Sequence, residues 1–295
     1  MKNIKKVTGG AGFVGSNLIE HLLKKKKKKI ISLDNYSSGT KKNHIINKRV
    51  KYLNINTSKI DTSLSKIKKK IHTIFHFGEF ARIYQSFKDF DKCYDSNTIG
   101  TKAVFKFCLE NKIKLIYSAT SASLGNKGKD KNLSPYAFTK SQNLELLDNL
   151  KKWFKFKFEV IYFYNVYGPR QIRSGKMATV IGIFEDLYLK KKPLTVVKPG
   201  TQTRRFTHIK DTIEVCYLAW KRNKCSHYSI SHKKAYSIKN VAKMFNSNIT
   251  YLKERAGERY ASALTKISIN NQIIGKYGKI NLKDYITSFI KSKKL

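Results

Sequence analysis

A tyrosine and a lysine separated by three residues, Tyr136 and Lys140 in Ser134-Pro135-Tyr136-Ala137-Phe138-Thr139-Lys140, carry the clearest chemistry in this 295-residue chain. On a helix the two fall about one turn apart on one face. An ammonium beside a phenol favours the phenolate and draws its pKa down from about 10. That makes a tyrosine usable as a general base near neutral pH. In a chain with 17 tyrosines the spacing also describes an ordinary helix face, so its neighbours decide what it means.

A second group of residues reads as a dinucleotide site. Val7-Thr8-Gly9-Gly10-Ala11-Gly12-Phe13-Val14-Gly15 opens an amphipathic run through Leu18, Ile19, Leu22 and Leu23. Glycines at 9, 12 and 15 permit a tight turn, close approach of backbone to a pyrophosphate and close helix-to-sheet packing. The helix that follows would aim its N-terminal N–H groups at the phosphates. Ile30-Ile31-Ser32-Leu33-Asp34 reads as the next strand, ending on a carboxylate. Asp34 there accepts both adenosine ribose hydroxyls and repels a 2′-phosphate, which favours NAD over NADP.

These groups need a sheet to position them. Apolar runs predict strands at Ile4–Val7, Ile30–Leu33, Val50–Ile55, Thr73–Phe77, Lys114–Ser118 and Glu159–Tyr164. Helices are predicted at Phe13–Lys25, Asp95–Asn111 and Tyr136–Trp153. The alternation implies an α/β fold, a Rossmann-type doubly wound parallel sheet with helices on both faces. Residues 1–166 are expected to form the NAD-binding domain, with 206–232 packing back onto it. Residues 167–295 would form a smaller C-terminal substrate-binding lobe. Lys5 and Lys6 conflict with a buried first strand and are expected to snorkel at its edge. Asn97 suits a helix cap as well as a cofactor contact, and His76 reads as a packed core histidine.

Composition narrows the setting. Lys and Arg number 61 against 19 acids, a net charge of +42. The excess is lysine, spread through every segment without a recognition-helix motif or an aromatic-basic platform. A specific nucleic-acid role is therefore not expected, while nonspecific polyanion binding at low salt is. No run of about 18 apolar residues or leader pattern is evident, so no membrane association is expected. The four cysteines lack metal spacing and read as reduced thiols of a cytoplasmic protein, with no metal site.

The ordered set of motifs resembles the extended short-chain dehydrogenase/reductases. Within them it is similar to the NAD-dependent nucleotide-sugar epimerase/dehydratase family, especially the UDP-galactose 4-epimerase type. Further segments carry the resemblance: Ile74-Phe75-His76-Phe77-Gly78, Asn97-Thr98-Ile99-Gly100-Thr101, Tyr117-Ser118-Ala119-Thr120-Ser121, Tyr164-Asn165-Val166-Tyr167-Gly168-Pro169-Arg170, Gly200 through Ile209, and Arg255-Ala256-Gly257-Glu258. It implies that Thr120 binds the reacting sugar hydroxyl and Tyr136 takes its proton. Lys140 would hold the nicotinamide ribose and lower the tyrosine pKa. Gly9, Gly12, Phe13, Val14, Gly15, Asp34, Asn35, Asn54, Ile55, Phe77, Gly78, Asn97, Ser118 and Phe163 match cofactor positions, with Tyr136 and Lys140. Asn165, Arg204 and Arg255 match substrate diphosphate contacts, a task that suits the planar arginine fork. Such relatives are commonly homodimers through a helix pair, here Asp95–Asn111 with Tyr136–Trp153.

The resemblance also orders the reactions. Relatives that eliminate water or carbon dioxide carry carboxylates just after the catalytic Thr, whereas Thr120 is followed by Ser121-Ala122-Ser123. Epimerisation of a nucleotide-diphosphate sugar at C4 through a transient 4-keto sugar leads. The alternatives are a 2-epimerase, dehydratase or ketoreductase, or a non-catalytic degenerate relative. The stretch between Thr120 and Tyr136 is about ten residues shorter than in 4-epimerases, which leaves the sugar open. Ser262 falls where family members limit bulk at the sugar C2, and its small size would admit an N-acetyl group.

Overall fold

The structure, a computed structural model, describes residues 4–25, 28–124, 132–257 and 277–293. In chain order the first half forms β1 (Ile4–Thr8), α1 (Phe13–Lys25), β2 (Lys29–Asp34), β3 (Val50–Asn54), α2 (Ile60–Leu64), β4 (Ile71–His76), α3 (Ile83–Lys88), α4 (Phe90–Tyr94), α5 (Thr101–Glu110), β5 (Lys114–Thr120), α6 (Pro135–Phe154) and β6 (Phe158–Phe163). The second half adds β7 (Val166–Tyr167), α7 (Val180–Leu189), β8 (Leu194–Val197), β9 (Thr203–Arg205), β10 (Thr207–His208), α8 (Ile209–Arg222), β11 (His227–Ile230), β12 (Ala235–Ser237), α9 (Ile238–Lys243), β13 (Ile249–Leu252) and α10 (Leu282–Lys291).

Seven strands build one sheet in the order β11-β6-β5-β4-β1-β2-β3, every pair parallel. The order reverses between β1 and β4, so a crevice opens there at the carboxyl ends of the strands. Apolar side chains cover both faces. One layer sets Ile74, Leu115, Val104, Phe105, Phe107 and Leu147 between the sheet and α5 and α6. The other sets Val7, Phe75, Ile116 and Ile161 against Leu18, Ile19 and Leu22 of α1 and Ile209, Ile213 and Cys216 of α8. A third core, including Phe184, Val196, Phe206, Phe245 and Ile286, joins α7, β8, α9 and α10.

The helix expected over 95–111 divides. Asp95–Gly100 is a π-helical turn feeding α5, so Asn97 lies inside the turn and caps nothing. β11 has only four residues, too short for its periodicity to stand out.

Lys5 and Lys6 do not snorkel. β1 is interior to the sheet, and the two lysines are only 2% and 0% exposed. The Lys5 ammonium lies 4.4 Å from the centroid of the Trp220 ring, a cation–π contact. The Lys6 ammonium has no hydrogen-bond partner among the described residues. Burial, helped by the nearby Lys51 charge, brings its pKa down to about 7.

Candidate active site

The glycine loop connects the end of β1 to the first turn of α1. Gly9 has φ of +69°, and a Cβ there would lie 2.8 Å from the Phe77 carbonyl carbon. At Gly15 a Cβ would lie 2.1 Å from the Gly9 oxygen, so the loop packs onto the helix only without side chains. Asp34 braces this loop. Its Oδ2 accepts from the Ala11 N–H at 2.9 Å and its Oδ1 from Tyr36 N–H at 2.8 Å. Burial raises the Asp34 pKa, and these N–H groups oppose the rise.

The catalytic candidates come from β5 and α6. Thr120 ends β5, and its hydroxyl accepts from Ala122 N–H at 3.2 Å. Ser134 caps α6 by accepting from Ala137 N–H at 3.1 Å, with Pro135 in the first helical position. This start places Tyr136 and Lys140 in the first two turns, where both line the cleft with Thr120.

The Lys140 ammonium has close partners of its own. It pairs with Glu79 Oε2, donates to the Ser118 carbonyl and lies 4.5 Å from the Tyr117 ring centroid. The Glu79 and Lys140 side chains are only 3% and 4% exposed, so their charges compensate each other out of water. Glu79 Oε1 also accepts from Thr101 at 3.0 Å, Tyr117 at 3.1 Å and Asn143 at 3.4 Å. Burial, and then the Glu79 charge, push the Tyr136 phenol up to about 12, against a hydrogen bond with Thr120 and the Arg82 charge.

His76 belongs to the same network. Thr8 Oγ1 accepts from the N–H groups of Phe77 (3.1 Å) and Gly78 (3.0 Å), so its proton goes to His76 Nδ1 at 2.7 Å. The Nε2–H of His76 then faces Thr101 Oγ1 at 3.0 Å. Burial lowers the His76 pKa to about 4, so the ring is neutral and structural.

One cleft of about 320 Å³ runs from the glycine loop to Arg204, a size suited to a small-molecule site. Gly9, Gly12, Phe13, Val14, Gly15, Asp34, Asn35 and Ile55 line one end. Phe77, Gly78, Ser118, Phe163, Asn165 and Arg204 line it too, with Thr120 and Tyr136. Three candidates do not line it. Asn54 is exposed at the end of β3. Asn97 is fully buried and clamps the loop after β4, accepting from Phe80 N–H at 2.7 Å and donating to Phe80 O at 3.1 Å. The Arg255 guanidinium sits 5.0 Å from the Tyr84 ring centroid. Ser262 and Glu258 lie outside the described residues.

Glu79 and Arg82 were missed by sequence reading. The Arg82 Nε donates to Met177 O at 2.8 Å and its Nη1 to Ala81 O at 2.7 Å, holding the guanidinium in the cleft wall. The available signal was two charges in Gly78-Glu79-Phe80-Ala81-Arg82, directly after a buried strand at the switch point.

Residues 6–231 match the model of the NAD dependent epimerase/dehydratase family. An uncharacterised UDP-glucose epimerase of Bacillus subtilis is 31% identical over 225 residues, 70% of this chain and 69% of that one. A UDP-glucose 4-epimerase of Thermotoga maritima, solved with UDP-glucose, superposes with TM-score 0.88 at 21% identity, covering 99% and 98% of the two chains. A UDP-glucuronic acid 4-epimerase of Bacillus cereus, solved with UDP-glucuronic acid and NAD, superposes with TM-score 0.87 at 26% identity, covering 99% of each chain.

Proposed function

The chain belongs to the NAD dependent epimerase/dehydratase family, and from that premise we propose that it epimerises a nucleotide-diphosphate sugar, a UDP-hexose at C4, through a transient 4-keto sugar. The observation that carries this reading is the meeting of Thr120, Tyr136 and Lys140 in the same cleft as the glycine loop and Asp34. No carboxylate stands directly after Thr120, where Ser121-Ala122-Ser123 follow, and among the described residues Glu79 is committed to Lys140, which disfavours an elimination.

The residues present fit NAD. The loop backbone around Gly9 and Gly15 leaves no room for side chains, and Asp34 borders the cleft with acceptor capacity beyond its two N–H partners. When bound, NAD supplies the acceptor that takes a hydride from the sugar carbon and gives it back. Thr120 orients the sugar hydroxyl, and Tyr136 accepts its proton and later returns it. Lys140 keeps one N–H for a ribose hydroxyl after bonding Glu79 and Ser118 O. Arg204, and Arg255 if released from Tyr84, would hold the diphosphate.

The test is incubation of the NAD-loaded protein with UDP-glucose and with UDP-N-acetylglucosamine, followed by NMR of the anomeric protons. Appearance of the galacto epimer is the expected result. Recovery of both sugars unchanged, with NAD bound, would remove these substrates from the reading. The same reading makes the protein a homodimer through the segment 95–111 and α6, supported by exposed Ile99 in the π-helical turn and Phe138 and Trp153 on α6. Sedimentation at a monomer mass would overturn that part.

A further inference from the structure

Among the described residues that line the cleft, the acids are Asp34 and Glu79 and the cations are Arg82, Lys140 and Arg204. Four of these have work assigned. Asp34 holds the Ala11 and Tyr36 N–H groups, Glu79 pairs with Lys140, and Arg204 is assigned to the diphosphate. Arg82 is left over. Its Nε and Nη1 donate to the Met177 and Ala81 carbonyls, and no carboxylate among the described residues pairs with it. A guanidinium carries five N–H groups, so three remain after these two bonds.

The backbone fixes where this cation stands. Arg82 immediately precedes α3, and its carbonyl accepts from Ser86 N–H at 3.1 Å. The Ser86 hydroxyl in turn accepts from Tyr136 N–H at 3.2 Å. A single serine thus ties Arg82 to the residue that would move the sugar proton. Met177 belongs to the loop between β7 and α7, whose Ile172 and Thr179 also line the cleft. A neutral amide could clamp two carbonyls, so the clamp alone does not account for the charge. A permanent cation in a half-buried wall, with no acid against it, favours an anion entering the cleft.

We propose that Arg82 is a specificity-determining residue that receives a carboxylate carried by the hexose, so that a nucleotide-linked hexuronic acid is preferred over its neutral counterpart. The inference rests on the reading of the cleft as a nucleotide-sugar epimerase site and names the substrate class of that site. The guanidinium keeps its two carbonyl bonds and offers its remaining N–H groups to the carboxylate oxygens.

The test compares UDP-glucuronic acid with UDP-glucose, which differ only in a carboxylate against a hydroxymethyl group. Anomeric-proton NMR of the NAD-loaded protein gives kcat/KM for each, and calorimetry gives the affinities of both sugars, of UDP and of NAD. The wild type should favour the acid at least tenfold. Arg82→Gln keeps donors for the carbonyls and removes the charge. It should lower kcat/KM for the acid by about a hundredfold, chiefly through KM, and for UDP-glucose by less than about threefold. Arg82→Lys, which keeps the charge but loses the fork, should fall between them and serves if the glutamine variant fails to fold.

Equal loss with both sugars would reduce Arg82 to a clamp and overturn the proposal. A loss of affinity for UDP or NAD would make it a phosphate ligand instead, and a wild type that prefers UDP-glucose or does not bind the acid would also defeat it. Binding separates the two readings. If neither sugar is epimerised while the acid still binds through Arg82, the epimerase reading fails and the carboxylate site stands.

Discussion

At the scale of single residues, Tyr136 is the sharpest point of test. Replacing it by Phe removes one hydroxyl from a packed site, so the fold and NAD binding should persist. Turnover should fall by about a thousandfold in a coupled or NMR assay. Lys6 offers a test of a different kind. Its folded pKa of about 7 lies below the ordinary lysine value of 10.5. The cost of burying its charge is full below about pH 7, declines as pH rises and is gone above about 10.5, because the unfolded chain holds the proton longer. Lys6→Met should therefore raise stability by roughly 3 kcal/mol at pH 7 in chemical denaturation, and the gain should shrink toward pH 10. The sequence marked Lys6 as out of place. It could not show where the ammonium goes, because which strands flank β1 is a long-range fact. Glu79 illustrates the same limit: its identity was visible, but its partnership with Lys140 depends on two elements 61 positions apart in sequence.

At the scale of elements, the parts with strong local signals were legible. The amphipathic α1, the strands β2, β4, β5 and β6, and the Ser134-Pro135 start of α6 follow from periodicity and capping chemistry, and β1 follows despite its two lysines. The π-turn before α5 was not, because an extra residue in a helix is decided by what packs on it, here Asn97 on the loop at Phe80. The glycine loop was legible because its chemistry is backbone chemistry. Gly9→Ala should lower NAD affinity at least tenfold in a calorimetric titration, since the methyl meets the Phe77 carbonyl and the +69° φ becomes strained. Asp34→Ala should weaken NAD far more than sugar nucleotide, and equal loss of both would contradict its place at the cofactor end. Its loss should also loosen the loop, because both carboxylate oxygens hold backbone N–H groups.

At the scale of the whole molecule, charge dominates behaviour outside the cleft. With a net charge of +42 the protein should bind heparin or any DNA at about 50 mM salt and release it near 500 mM, without sequence preference. Sequence-selective retention at the higher salt would contradict the reading of the lysines as solvated surface. The sheet gives the same charge a second consequence. β3 and β11 stand at its two margins, each with a strand neighbour on one side only among the described residues. Margins of this kind invite strand-to-strand adhesion between molecules, and like charge is one natural deterrent. In colloidal terms the protein is a suspension stabilised by repulsion. The salt that frees it from polyanions also shortens the range over which its copies hold one another off.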